Sequence, residues 1–303
     1  MKAVIVRAYG DASELHYSEA EQPQAGSGEV LVRLRATSIN PLDWKMRSGA
    51  AKKEFPMHFP EILGVDVSGE VEQAGSSVEG FPKRMRVIGK GKGAYAQFVA
   101  VEASALAPIP EELSFEQAAA LPLVLTTGAQ LIERAAKVQQ GQTILITGAV
   151  GSVGRVAVHV ARQRGARVVA GVRASQRQQA EELGAAQIVA LDRPEELAQL
   201  RDLDAVADTV GGQVQQQVIK LLREGGVYAS LVGPPSEDPG RGIQVQAIMA
   251  QPDAKRLAEL ARDVASGLLI LPIAKSFPLS DIQEATQLAE GGGAEGKVVL
   301  IVP

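Results

Sequence analysis

The chain has 303 residues, 46% of them hydrophobic and 22% charged, which is enough for two domains and a sizeable buried core. A net charge of −4 removes any global electrostatic case for nucleic acid or an anionic membrane as partner. The absence of cysteine excludes disulfides, thiol nucleophiles and cysteine-ligated zinc, and agrees with a cytoplasmic setting.

The N-terminal segment, Met1-Lys2-Ala3-Val4-Ile5-Val6-Arg7, holds too short an apolar run for a signal peptide. Up to Pro110 the pattern is β-rich. Glu29 to Ala36 alternates as a half-buried strand should, and Val65 to Val71 and Ala94 to Val101 do much the same. Ser114 is placed to cap a helix, with Gln117 three residues on. The apolar run from Ala118 to Ile132 is interrupted by Pro122, two threonines and Gly128, so no membrane span is expected there. From Gln142 strands and helices alternate. Strands are predicted over 143–147, 167–172, 187–190, 204–208 and 226–232, and helices over 153–164 and 175–183, the second stopped by Gly184. Pro234 to Gly242 is a polar loop, Gly242 to Met249 an edge strand, Leu257 to Ala265 a helix, and Gly296 to Val302 a final strand. The sum is a β-rich part followed by a doubly wound α/β pattern.

The most informative segment follows the strand at 143–147. Gly148-Ala149-Val150-Gly151-Ser152-Val153-Gly154 leads into a helix whose Val153, Val156, Ala157, Val160 and Ala161 share one stripe. Strand, glycine turn and helix is the context in which A-x-G-x-x-G binds a dinucleotide. The small residues let the backbone approach a pyrophosphate, and the helix start offers it free N–H groups. An ordinary glycine-rich turn is the competing reading.

The next strand selects the nucleotide. An NAD site usually carries an acid about 20 residues on, to hold the ribose 2′-hydroxyl. Here Gly171-Val172-Arg173 stands in that window, followed by Ser175 and Arg177. A bare glycine leaves room for a 2′-phosphate, and guanidinium groups match phosphate geometry, so NADP(H) is expected over NAD(H). The alternative makes both arginines solvated helix-start residues. Asp208-Thr209 and Val232-Gly233 end later strands, where open α/β sheets bind their ligands, and are expected near the cofactor.

Ser38 to Lys45, Leu63 to Gly69, Gly93 to Ala96, the Ala149-to-Gly154 loop, Asp208 to Gly212 and Gly296 to Leu300 follow one another in a specific order and spacing. In these markers nearly the whole chain resembles the medium-chain dehydrogenase/reductase superfamily, and within it the zinc-free quinone and enone reductases. The resemblance implies a GroES-like β-rich catalytic domain, residues 1–117 and 268–303, with a Rossmann NADP-binding domain, 118–267, inserted in it. Zinc-dependent relatives use Cys in the first motif and Gly-His-Glu in the second. Asn40 and Val65 occupy the Cys and His positions here, the third ligand's place falls in Leu123-Val124-Leu125, and His16, His58 and His159 do not restore the spacing, so no metal is expected. Arg84-Met85 stands where relatives carry Gly-Asp before Arg-Val.

The chemistry implied by the resemblance is hydride transfer from NADPH to a quinone or an α,β-unsaturated carbonyl. Lys45 occupies the place of a Tyr in many quinone reductases and is similar to the Lys of enone-reducing relatives. There it would stabilise charge on the substrate oxygen; a plain surface lysine is the alternative. Asn40 and Thr127 match positions that meet the nicotinamide ribose and carboxamide, and Asp43 orients Lys45 or its loop. The resemblance also implies a homodimer formed through the 242–249 edge. Two further readings stay open: an enoyl-thioester reductase, and a low-turnover NADPH-binding protein with a redox-sensing or structural role.

Overall fold

Val30, Val32, Leu34 and Ala36 alternate along one strand and all are fully buried, so the β-rich part is organised around that strand. In the computed structural model, which describes residues 1–292 and 294–303, the chain divides into two compact units, Met1–Leu123 with Pro252–Pro303, and Val124–Gln251.

The first unit contains β1 (Lys2–Val6), β2 (His16–Glu19), β3 (Glu29–Ser38), α1 (Pro41–Arg47), β4 (Glu61–Ile62), β5 (Asp66–Ala74), β6 (Arg86–Lys90), β7 (Phe98–Glu102), β8 (Leu106–Pro108) and α2 (Phe115–Ala119). A further helix, α3 (Pro122–Gln130), begins in it and continues into the second unit. The second unit contains β9 (Thr143–Thr147), α4 (Ser152–Gln163), β10 (Arg167–Val172), α5 (Arg177–Glu181), β11 (Gln187–Ala190), α6 (Pro194–Leu197), β12 (Leu203–Asp208), α7 (Gly212–Ile219), β13 (Leu222–Ser230) and β14 (Gln244–Ala247). The chain then returns to the first unit with α8 (Ala254–Ala265), β15 (Ile273–Pro278), α9 (Ile282–Glu290) and β16 (Lys297–Ile301).

In the first unit β2-β1-β4 make a small sheet, and β15-β16-β3-β5-β6-β8 a large one, with β7 also paired to β3. The C-terminal β16 lies antiparallel to β3, with Leu300 opposite Thr37, and so completes a sheet begun near the other end of the sequence. Val4, Leu34, Val67, Tyr95, Phe277 and Leu300 share its core. Periodicity does not predict α1, yet its ends carry ordinary signals. Pro41 sits at the first turn, Asp43 is acidic beside the helix start, and Lys45 and Arg47 are basic near its end.

The second unit is a parallel sheet in the order β11-β10-β9-β12-β13-β14. The chain runs outward one way from β9 and then the other way from β12. The switch point therefore lies between the carboxyl ends of β9 and β12, where such sheets bind ligands. Val156, Ala157, Val160 and Ala161 of α4 are fully buried, as their stripe predicts.

Several bounds differ from the sequence reading. The units part at 123/124 and 251/252 rather than at 117/118 and 267/268. α2 packs on β3 and β5, with Ala119 and Ala120 against Ala36 and Val299, and α8 packs on β8. Pro122 opens α3 rather than breaking a segment, so Thr127 lies within that helix. The expected 175–183 helix divides into a 3₁₀ turn, Ala174–Gln176, and α5. Among the described residues no helix is long and apolar enough to cross a membrane.

Candidate functional site

β9 ends at Thr147, and the chain turns through Gly148 (φ +63°) to Gly151, the residue before α4. A Cβ on Gly154 would lie 2.1 Å from the Gly148 carbonyl oxygen, and one on Gly148 2.6 Å from Thr209 Oγ1. Glycine is required because helix and turn touch backbone to backbone. Gly151 N–H donates to Gly148 O (2.9 Å), Ala149 N–H to Gly171 O (3.1 Å), and Arg155 Nε to Val150 O (3.0 Å). No side chain among the described residues caps α4. The first-turn amides at Ser152, Val153 and Gly154 are thus left for an anion. Gly128 of α3 meets Val156 of α4, which sets half-buried Thr127 on a helix packed against the one that carries this turn.

Asp208, at the end of β12, is fully buried, and both carboxylate oxygens are occupied. Oδ1 accepts from Thr147 Oγ1 (2.6 Å), Val210 N (2.9 Å) and Gly211 N (3.1 Å), and Oδ2 accepts from Tyr228 OH (2.5 Å). Burial, with Asp208 beside it, pushes the Tyr228 hydroxyl up, and Gln215 Nε2 donates to that hydroxyl (2.8 Å). Asp208 therefore clamps the ends of β9, β12 and β13, and its carboxylate is not open to a ligand. Thr209 Oγ1 donates to Thr147 O (2.8 Å). Val210 and Val232 are exposed large apolar side chains beside this clamp, and Gly233 follows with φ +101°.

Gly171 lies beside Thr147 across the β9–β10 pairing. A Cβ there would meet Leu191 Cδ2 at 2.9 Å and Ile146 O at 3.2 Å, so packing as well as ligand space calls for glycine. Arg173 and Ser175 are exposed. Arg177 is engaged: its Nη2 donates to Glu196 Oε2, which also accepts the Ala190 N–H (2.9 Å). Asp192 Oδ1 accepts the Ala174 N–H (2.8 Å). Sequence spacing brought neither acid to this segment.

The first unit holds a buried polar cluster at the start of α1. Lys297 Nζ donates to Asn40 Oδ1 (2.5 Å) and Ile39 O (2.9 Å), and lies 3.7 Å from Asp66 Oδ2. Asp66 Oδ2 accepts from Asn40 Nδ2 (2.7 Å) and Ser38 Oγ (2.5 Å). Asp43 Oδ2 accepts from Asn40 N (2.8 Å) and Tyr95 OH (2.8 Å). Both ends of the Asn40 amide are thereby fixed. Asp43 orients the Asn40 loop and not Lys45, which is exposed on α1.

One ammonium faces two carboxylates in this cluster. Burial pushes the Asp43 carboxyl up to about 7, helped by the Asp66 charge and opposed by its hydrogen bonds and by Lys297. Its Oδ1 has no partner among the described residues. Burial pushes the Lys297 ammonium down, against the pull of Asp66 and Asp43. An unfolded Asp titrates near ~3.9. Between there and the folded value the native state keeps a proton that the unfolded chain has released. Stability from this group therefore falls as pH rises from about 4 to about 7, by on the order of a few kcal/mol. Asp43→Asn is expected to flatten that slope, because an uncharged amide can still accept from Asn40 and Tyr95. Melting curves at pH 5 and pH 8 check this, and an equal drop in both proteins would contradict it.

Residues 26–111 match the alcohol dehydrogenase GroES-like domain family, and residues 183–300 the zinc-binding dehydrogenase family. The 2-methylene-furan-3-one reductase of Solanum lycopersicum is 30% identical over 99% of this chain and 79% of its own. The chloroplast envelope quinone oxidoreductase homolog of Arabidopsis thaliana is 29% identical over 99% and 98%. The structure of the quinone oxidoreductase from Coxiella burnetii aligns at a TM-score of 0.89 and 30% identity, covering 100% of this chain and 99% of that one. The chain belongs to the medium-chain dehydrogenase/reductase superfamily, in its quinone and enone reductase branch. It is an oxidoreductase.

Some members of the superfamily are zinc enzymes, and the donors here do not fit that ion. The sequence has no cysteine, and no group of three His, Asp or Glu side chains among the described residues could hold a metal. Between Asn40 and Asp66 the positive charge is the Lys297 ammonium. Asp66, Tyr95 and Lys297 each lie in a superfamily marker segment, which is the only signal the sequence held for them. Their convergence depends on β16 returning beside β3, and neither periodicity nor spacing reports that.

Proposed function

We propose that this member of the superfamily is an NADPH-dependent, zinc-independent reductase of quinones or α,β-unsaturated carbonyls. The observation that carries the reading is the uncapped start of α4, packed against a turn that only glycine permits, with Gly171 and the exposed Arg173 at the end of the next strand. Gly148, Ala149, Gly151, Ser152, Val153 and Gly154 would receive the pyrophosphate on backbone amides. Gly171, Arg173, Ser175 and Arg177 would receive a 2′-phosphate. Thr209, Val232 and Gly233 would border the nicotinamide half, with Asp208 holding their turn, and Thr127 would offer its hydroxyl to the carboxamide. Asn40, locked by Lys297 and Asp66, would present a fixed edge to the nicotinamide ribose while Asp43 holds its loop.

NADPH, when bound, supplies the hydride. Lys45, exposed on α1, would stabilise the negative charge that develops on the substrate oxygen, and solvent would supply the final proton. NADPH consumption with a quinone, a short enone, an alkenal and an acyl thioester tests the proposal. Turnover of the quinone or the enone is expected, undiminished by prolonged chelation. Turnover of the thioester alone would favour an enoyl-thioester reductase, and tight binding without turnover a redox-sensing or structural protein. Lys45→Ala is expected to lower enone turnover about a hundredfold with NADPH affinity nearly unchanged. Quinones should lose less, because they are already strong electron acceptors. Unchanged rates on both would make Lys45 a surface lysine.

We also propose a homodimer. β14 forms one edge of the parallel sheet, with Gln244, Gln246 and Ala247 exposed, and an exposed edge is a hazard unless paired or covered. Light scattering at micromolar concentration checks this, and a mass near 31.8 kDa would contradict it. A cytoplasmic setting belongs to the same proposal, resting on the cysteine-free sequence and checked by cell fractionation.

A further inference from the structure

Arg173 and Arg177 make the segment after β10 positive, but the fold brings charge of the opposite sign to it. Glu196 stands on the short α6, and its Oε2 accepts both the Ala190 N–H, at the end of β11, and Arg177 Nη2. The carboxylate is the fixed partner, because Ala190 belongs to the sheet. Arg177 begins a five-residue helix, and its side chain is 42% exposed against 28% for Glu196. The Ala190 amide, Arg177 and Arg193 all hold the Glu196 carboxyl below its usual range, so it is anionic wherever the protein is folded near neutral pH. Arg173 is exposed and makes no ion pair among the described residues, Asp192 accepting the neighbouring Ala174 N–H instead. The two arginines, alike in sequence, are thus unlike in charge environment.

We propose that Glu196 is a specificity-determining residue for the cofactor: an internal counter-anion that competes with a 2′-phosphate for Arg177. Arg173 is then the guanidinium that reads the phosphate, and Glu196 limits how far the protein can prefer NADPH over NADH. The inference rests on the cofactor reading proposed above. It requires no rearrangement of the sheet, because a half-exposed ion pair is weakly held and a phosphate dianion is a stronger partner for a guanidinium than one carboxylate.

Fluorescence titration with NADPH and with NADH tests the inference, on the full chain and on Glu196→Gln, Arg177→Ala, Arg173→Ala and the Glu196→Gln/Arg177→Ala pair. Glutamine keeps an oxygen for the Ala190 N–H, so the β11 turn should hold. Glu196→Gln is expected to tighten NADPH by about three- to tenfold and to move NADH by less than about twofold. Arg177→Ala should cost less than about threefold in the natural background and about tenfold once Glu196 is Gln, a non-additivity that reports direct coupling. The gain in NADPH affinity should shrink in high salt. An unchanged NADPH affinity in Glu196→Gln, equal shifts for both cofactors, or the same Arg177→Ala cost in both backgrounds would each overturn the inference. If Glu196→Gln does not fold, the arginine variants alone decide: Arg173→Ala must cost more than Arg177→Ala, and the reverse order refutes it. Parity of NADPH and NADH in the natural protein, turned into NADPH selectivity by Glu196→Gln, would uphold the role of Glu196 while defeating the stated preference. A natural protein that binds neither cofactor defeats both.

Discussion

Gly154→Ala is expected to weaken NADPH binding severely and to destabilise the second unit. The added Cβ would stand 2.1 Å from the Gly148 carbonyl oxygen, 2.8 Å from the Gly148 carbonyl carbon and 2.8 Å from Ala149 Cα. All three are backbone atoms, so no side-chain rotation relieves the clash. α4 must move away from the turn, or the turn must move away from β9. Forced repacking of this kind costs about 1–3 kcal/mol. The larger loss is functional. A pyrophosphate bound to backbone amides depends on their mutual placement, and a shift of the helix start removes several contacts together. We expect NADPH affinity to fall by about a hundredfold or more, equivalent to about 2.7 kcal/mol. Gly151→Ala is the milder control, because its Cβ would meet only the Gly148 oxygen, at 3.2 Å. Urea unfolding followed by cofactor titration on the folded fraction measures both effects. An unaltered affinity in Gly154→Ala would show that the turn is not the cofactor cradle.

Lys297→Met is expected to be the most destabilising single change in the first unit. Methionine fills similar space but leaves Asp66 buried without its ammonium, and leaves Asn40 Oδ1 and Ile39 O without a donor. Removing one partner of a buried ion pair commonly costs about 3–5 kcal/mol. The same loss frees the Asn40 amide, so turnover should fall in whatever fraction stays folded. Asp66→Asn in the Lys297→Met background removes the uncompensated charge and should recover part of the stability, a coupling that additive effects would not give. Urea midpoints of the two single variants and the double variant decide it. A Lys297→Met protein as stable as the natural one would mean that the cluster is not held by this ammonium.

The middle of the parallel sheet was legible because β9, β10 and β11 are short and largely apolar, and Gly148 and Arg173 follow β9 and β10 directly. β9, β10 and β11 occupy the predicted 143–147, 167–172 and 187–190. The glycine turn was legible for the same local reason. β13 begins earlier than expected because Leu222 already pairs with Leu203, ahead of a register shift that the sequence does not mark. Charge partners were far less legible. The sequence marks Arg177 as a candidate phosphate ligand but not its pairing with Glu196 of α6, and marks Asp208 as a candidate ligand contact but not the closing of three strand ends around its carboxylate. Lys45 is the cation at a marker position in the sequence, whereas Lys297, distant in sequence from every residue it holds, carries the ammonium of the buried cluster. Local pattern predicts elements, while long-range pairing decides which polar groups are already satisfied.

The central claim, a zinc-independent reductase that draws hydride from NADPH, is tested most directly by one steady-state comparison. With a single enone or quinone substrate and a chelator present throughout, kcat/KM for NADPH should exceed that for NADH by about tenfold or more, since one charge-assisted phosphate contact contributes about 1.5–3 kcal/mol. Parity, a preference for NADH, or activity that chelation removes and zinc restores would contradict the account.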